Sequence, residues 1–246
     1  MAEMGFRTEI QRSWNNLPKS ARGFLKEWVL PLGLAVVVAF LFRTTIASPR
    51  HIPTGSMVPT IKIGEFIFVK MYSYDLHIPF TRHKWIHRND PQRGDIVVFE
   101  YPNDRSKDFI KRVIGIPGDI VEVRNKRVWL NGTALRLDPI EDTDTLLDAG
   151  KEYHPDHMSL FREHLGDRSY IVAHSHLRAP RNAGPIEVPE GSFFVIGDNR
   201  DDSSDSREWG VVPRDYLLGQ GSFIWFSFDR RNFPFLRWNR FFTTLR

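Results

Sequence analysis

The chain has 246 residues, of which 41% are apolar and 26% charged, and its net charge is +4. That length suits one soluble domain with additions, or two small domains. The basic excess is mild and includes no long Lys/Arg run, which points away from nucleic acid, while an anionic membrane surface suits the same charge. With no cysteine present, disulfides, thiol catalysis and Cys-based zinc sites are excluded.

Residues 1–27 carry Arg7, Arg12, Lys19, Arg22 and Lys26. Trp28 to Phe42 follow without a charge, and the run continues past Arg43 to Ala47. Arg43 lies near one end, where a long side chain can reach the interface. Counted to Ala47, the segment approaches the roughly 20 residues that a spanning helix needs. A cleaved leader would have a short basic head and a small-x-small site. Here the head is long and Ile46-Ala47-Ser48 fits poorly. A buried core helix would need a domain to enter, and nothing upstream reads as one. The expectation is therefore a transmembrane anchor over 28–47. The preceding basic residues place 1–27 in the cytoplasm and the rest of the chain outside, on the periplasmic or extracellular face.

Beyond the anchor, short apolar runs alternate with Gly, Pro, Asn and Asp. Glu65–Lys70, Asp95–Phe99, Val113–Ile116, Ile120–Val123, Val128–Leu130, Ser192–Ile196 and Ser222–Phe228 read as strands. Asn125-Lys126 and Asn131-Gly132 predict a hairpin near 120–135. Short strands at this spacing give a mainly β fold, a barrel or sandwich. Its main β domain is expected at 48–135 and 190–230. Residues 136–189 are polar and rich in acid and His, and they read as an inserted smaller subdomain, partly helical near Pro155–Leu165. Five histidines fall there, but without HExxH-type spacing they read as surface residues, and no metal or other cofactor is expected. The tail, 231–246, is basic and aromatic. That composition suits lipid headgroups, and equally a strand end with packed rings.

Four segments carry chemistry. The first, Ile52-Pro53-Thr54-Gly55-Ser56-Met57-Val58-Pro59-Thr60, is a turn-rich loop just after the anchor. Met57 and Pro59 there are given no catalytic role. Gly94 to Phe99 form a turn into a strand. Phe109 to Asp119 contain Lys111 and Arg112 among apolar neighbours. The last, Gly197 to Arg207, is acidic, but it lacks the EF-hand pattern and holds two arginines that would repel a cation. Singly, each has a bland reading: a turn serine, an exposed strand lysine, a charged surface loop.

In this order, behind an anchor, these segments closely resemble bacterial type I signal peptidases. The resemblance covers about residues 28–230, with the middle insertion matching poorly. It implies a membrane-bound Ser–Lys serine endopeptidase that removes signal peptides from secretory preproteins, with small side chains at the −1 and −3 positions. Ser56 matches the nucleophile and Lys111 its base. The backbone N–H of Ser56 and the hydroxyl of Thr54, in place of a more usual serine, match the oxyanion hole. Ser203 matches a lysine-orienting serine, Asp205 and Arg207 a supporting ion pair, and Asp198 and Arg112 structural positions nearby. An amine with an ordinary pKa of about 10.4 is no base at neutral pH, so Lys111 has to be buried among groups such as Phe109, Ile110 and Val113. Ser56 lies nine residues past Ala47, at most about 30 Å along the chain, so the site is expected near the outer membrane surface. Three alternatives stand beside this reading. A self-cleaving SOS-repressor-like protease would carry a DNA-binding head rather than an anchor. A specialised relative would mature one pilus or conjugation protein. A tethered β-domain would have no activity.

Overall fold

The structure is a computed structural model describing residues 18, 23–36, 47–77, 84–141, 143–229 and 236–245. The chain divides into two compact units, 1–44 and 45–246. In the first unit, residues 23–36 form helix α1, which contains a π-helical turn at Leu25–Val29. Phe24, Trp28, Leu30, Leu32 and Leu34 on α1 are all more than 60% exposed. Among the described residues no helix is long and apolar enough to cross a membrane. The expected anchor runs over 28–47, and its residues 37–46 lie outside the described ones, as do most of 1–27.

The second unit is mainly β. Strand β1 (Ala47–His51) enters the turn-rich loop, and β2 (Glu65–Lys70) returns antiparallel to it. β2 buries Glu65, Ile67 and Val69 while Phe66, Phe68 and Lys70 stay half-buried, the period of two that EFIFVK spells out. A ribbon of β3 (Asp75–His77) and β4 (Lys84–His87) precedes the long hairpin of β5 (Ile96–Tyr101) and β6 (Asp104–Gly115). β7 (Ile120–Arg124) and β8 (Arg127–Leu130) form the expected hairpin. Its turn residues, Asn125 and Lys126, both have positive φ, 49° and 67°, as a two-residue type I′ turn requires. β9 (Thr133–Ala134) pairs back on β8.

A three-stranded antiparallel sheet follows, made of β10 (Arg136–Ile140), β11 (Met158–Leu165) and β12 (Arg168–Ser175). The helix expected near Pro155–Leu165 is thus corrected: only Pro155–His157 makes a 3-10 turn, and β11 begins at Met158. The cause is Glu163. It is fully buried on the face it shares with Phe161 and Leu165, while Met158 and Leu160 are buried on the opposite face, so a buried charge and burial on both faces mask the strand alternation. β13 (Ala183–Glu187) pairs with β7, and β14 (Ser192–Ile196) with β6. A short helix α2 (Ser206–Trp209), β15 (Val212–Pro213), β16 (Leu217–Ser227) and β17 (Thr243–Thr244) complete the unit.

The main sheet has the order β1-β2-β16-β5-β6-β14-β15, with β17 on β16. Its pairs are antiparallel, so β1 and β6 run in the same direction. An apolar cluster including Ile52, Met57, Ile61, Ile67, Val98, Ile110 and Leu245 fills the space beneath the loop that follows β1. In the tail, Leu245 is buried while Trp238 and Phe242 are about 70% exposed.

The inserted sheet is tied to the rest by buried charge. Arg200 donates from both terminal nitrogens to Glu163, one bond measuring 2.8 Å, and Tyr170 Oη donates to the same carboxylate at 2.7 Å. Arg112 lies over the Tyr170 ring at 4.0 Å. Removing one partner of a buried pair strands the other. Glu163→Ala is therefore expected to lower unfolding stability by about 3–5 kcal/mol, measured by thermal and denaturant melts of the purified chain.

Candidate active site

The loop between β1 and β2 is shaped by Pro53, Gly55, Pro59 and Gly64, which disfavour continued strand. Val58 N–H donates to Gly55 O at 3.1 Å and Ile61 N–H to Met57 O at 2.9 Å, closing tight turns. Met57 and Val58 are fully buried and anchor the loop in the core. Ser56, inside the first turn, keeps 9% of its surface exposed.

Lys111 reaches Ser56 from β6. Its Nζ donates to Ser56 Oγ at 2.8 Å and to Ile110 O at 2.9 Å. The amine is 4% exposed and stands 5.2 Å from the Phe109 ring centre. Burial, the largest influence, pulls its pKa from 10.5 down to about 8. Asp205 and Asp198 oppose the fall, and Arg207 adds to it.

Residues 197–207, between β14 and α2, frame the pair. Arg112 grips Asp198 with two bonds, Nε to Oδ1 at 2.8 Å and Nη2 to Oδ2 at 2.7 Å, and both side chains are fully buried. Thr60 Oγ1 donates to the same carboxylate at 2.5 Å, which links it to the serine loop. Arg207 holds Asp205 with two bonds of 2.7 Å, and Gly197 N–H donates to Asp205 at 3.0 Å. Burial, the largest single influence, opposes ionisation of Asp205, yet Arg207, the Gly197 N–H and Ser203 together outweigh it and keep the carboxyl below its ordinary range. Arg240, from the tail, donates to Thr60 O at 2.8 Å and to the buried Glu65.

The structure therefore gathers Ser56, Lys111, Asp198, Arg112, Asp205 and Arg207 into one framework. Ser203 is buried beside them, but among the described residues its Oγ makes no hydrogen bond of normal geometry, to Lys111 or otherwise. It is close enough to Asp205 to help hold that carboxyl down. Thr54 is exposed and lines the cleft.

Sequence reasoning assigned no role to three residues here. Asn199 donates its N–H to Ser56 O and its Nδ2–H to Gly55 O, both at 3.1 Å, fixing the peptide planes around Ser56. Its place inside the Gly-Asp-Asn-Arg segment was the available signal. Glu163 and Tyr170 sit in the poorly matching insertion and gave none. Two glycines are required by space. A Cβ on Gly55 would overlap the Tyr153 hydroxyl, and one on Gly197 would overlap both Ser203 Oγ and Ser56 O.

A cleft of about 780 Å³ opens at the pair. Pro49–Pro53 form one wall and Lys107–Ile110 the other, over a floor that includes Ile67 and Val98, while Tyr153, Asp202 and Ser204 stand at the Ser56 end. β1 pairs only with β2, and the first half of β6 only with β5, so among the described residues both walls have a free strand edge. Gly197→Ala is expected to push Ser56 away from Lys111. It should lower the reaction rate at this site by about a hundredfold or more, while circular dichroism still reports the wild-type β content.

Comparison with known proteins follows the same line. The family described as signal peptidase, peptidase S26, matches residues 25–226. A signal peptidase I of Pseudomonas fluorescens is 35% identical over 203 residues, covering 77% of this chain and 68% of that protein. One from Pseudomonas aeruginosa is 33% identical over 207 residues, with the same coverage. A solved signal peptidase I from Enterococcus faecalis aligns with 54% of this chain and 97% of its own, at 29% identity and a TM-score of 0.33. With the family matched over most of its length, the chain belongs to the signal peptidase family, peptidase S26, and is a serine endopeptidase that cleaves signal peptides.

Proposed function

We propose that Ser56 and Lys111 form the catalytic dyad, and that it cuts secretory preproteins at the outer face of the cytoplasmic membrane. The observation that carries this reading is the 2.8 Å contact between Ser56 Oγ and an amine with a pKa of about 8. Neutral Lys111 accepts the Ser56 proton, so the same contact then runs from O–H to Nζ. Oγ attacks the carbonyl carbon of the −1 residue. The developing oxyanion takes hydrogen bonds from Ser56 N–H and the Thr54 hydroxyl. The ammonium of Lys111 then hands its proton to the departing amine, leaving an ester on Ser56. A water molecule, deprotonated by Lys111, hydrolyses the ester and frees the signal peptide.

Ser203 fits a lysine-orienting role because its hydroxyl is buried beside the dyad and, among the described residues, makes no hydrogen bond of normal geometry. Asp205 with Arg207, and Asp198 with Arg112, hold the frame while remaining neutral as pairs. The free edges of β1 and β6 suit an extended peptide between them. Ile52, Ile67, Val98 and Ile110 along that trough suit small side chains at −1 and −3.

The membrane part of the reading rests on composition and exposure. α1 presents Trp28, Leu30, Leu32 and Leu34 outward, which favours lipid around 28–47, and the basic residues before it favour a cytoplasmic N-terminus. Exposed Trp225, Trp238 and Phe242 suit the headgroup zone.

Two outcomes are expected with a model preprotein and the detergent-solubilised chain. Ser56→Ala and Lys111→Met each lower kcat/KM by at least about a thousandfold, with melting temperature at or above wild type. Since only the neutral amine acts as base, kcat/KM should climb with pH. It should reach half its plateau near pH 8, and about one tenth of the plateau one pH unit lower. A rate that stays level between pH 6 and 9, or near-normal cleavage by either variant, contradicts the dyad.

A further inference from the structure

The Ser56 end of the cleft is built from residues that the dyad chemistry leaves unused. β1 and β6 run the same way and both lead up to the dyad, so the trough between them takes one side of the substrate only. That trough is apolar and fits the small-residue side of the cleavage site. The other side of the scissile bond is the start of the mature protein, and it must leave past the dyad. Tyr153, Asp202 and Ser204 line the cleft there.

Tyr153 is a rigid part of this end. It closes the 3-10 turn Lys151–Tyr153, is 5% exposed, and packs in a cluster with Val58, Leu146 and Met158. Its ring covers Gly55, where even a methyl group would collide with the hydroxyl. The hydroxyl donates to Asp202 Oδ2 at 3.2 Å. Asp202 Oδ1 takes Arg178 at 2.8 Å. Arg178 is half exposed and does not line the cleft, so it approaches the carboxylate from outside. An ion pair this exposed is weak, and the face of Asp202 turned to the cleft stays acidic.

We propose that Tyr153 and Asp202 form the subsite for the first residue of the mature chain, and that Asp202 makes this subsite prefer a basic residue over an acidic one. This rests on the dyad reading, which sets where the scissile bond lies. Tyr153 fixes the carboxylate, and the carboxylate repels a negative side chain while favouring a positive one and the newly formed amine.

The test uses the full chain in detergent and preproteins that differ only at the first mature residue, Lys or Glu. A second pair carries Ala or Leu at −1. Wild type should show a Lys:Glu ratio of kcat/KM of roughly tenfold. Asp202→Asn should bring that ratio to within about twofold and leave the Ala:Leu ratio unchanged. Arg178→Gln, which strips the outer cation from the carboxylate, should raise the Lys:Glu ratio. The proposal is overturned by a flat Lys:Glu ratio in wild type, by the same ratio in Asp202→Asn, by a fall or no change in Arg178→Gln, or by both ratios moving together. Ser56→Ala separates the two levels. Cleavage that survives it sinks the dyad. Cleavage that requires Ser56 but ignores charge at the first mature residue sinks the subsite alone.

Discussion

The buried amine of Lys111 is the constraint on which the site depends. Taking an ammonium out of water lowers its pKa, but a carboxylate nearby restores the charge. At an effective dielectric near 20, an unpaired carboxylate about 7 Å away stabilises an ammonium by roughly 2.4 kcal/mol, close to two pKa units. Two carboxylates, Asp198 and Asp205, act on Lys111. Each is gripped by two hydrogen bonds from its own arginine. The pairing explains how acids can frame the site without recharging the lysine, and burial remains the dominant influence.

The fold meets a second demand, which is to hold a serine against that amine. Ser56 has little freedom because Asn199 binds the carbonyls on both sides of its N–H, and Met57 and Val58 are sunk in the core. The supports come from distant parts of the chain. Thr60 is tied to Asp198, Arg240 from the tail is tied to Thr60, and Arg200, next to Asn199, is tied to Glu163 in the inserted sheet. A site assembled on strands and buried ion pairs keeps its geometry better than one hung on free loops.

Much of this was legible in the sequence. Short apolar runs between turn residues, such as EFIFVK, gave β2 with its bounds, and Asn125-Lys126 gave the hairpin turn. Lys111 among Phe109, Ile110 and Val113 signalled an apolar pocket. Other features had no local sign. Glu163 reads as a surface charge, and only its partners Arg200 and Tyr170, both distant or hidden by alternation, reveal an inward strand position. The same mask turned β11 into an expected helix. Gly55 and Gly197 look like turn glycines, yet the structure requires them for close approach by Tyr153 and by Ser203 and Ser56. Such demands are set by tertiary contacts, which a single sequence does not display.

The most direct measurement is the titration of Lys111 itself, followed by nuclear magnetic resonance of its isotopically labelled Cε and Nζ in the folded chain, with the Lys111→Arg variant used to assign the signal. The account requires a midpoint at about 8. A midpoint at the ordinary 10.5 would leave Lys111 charged at neutral pH and contradict its role as the base.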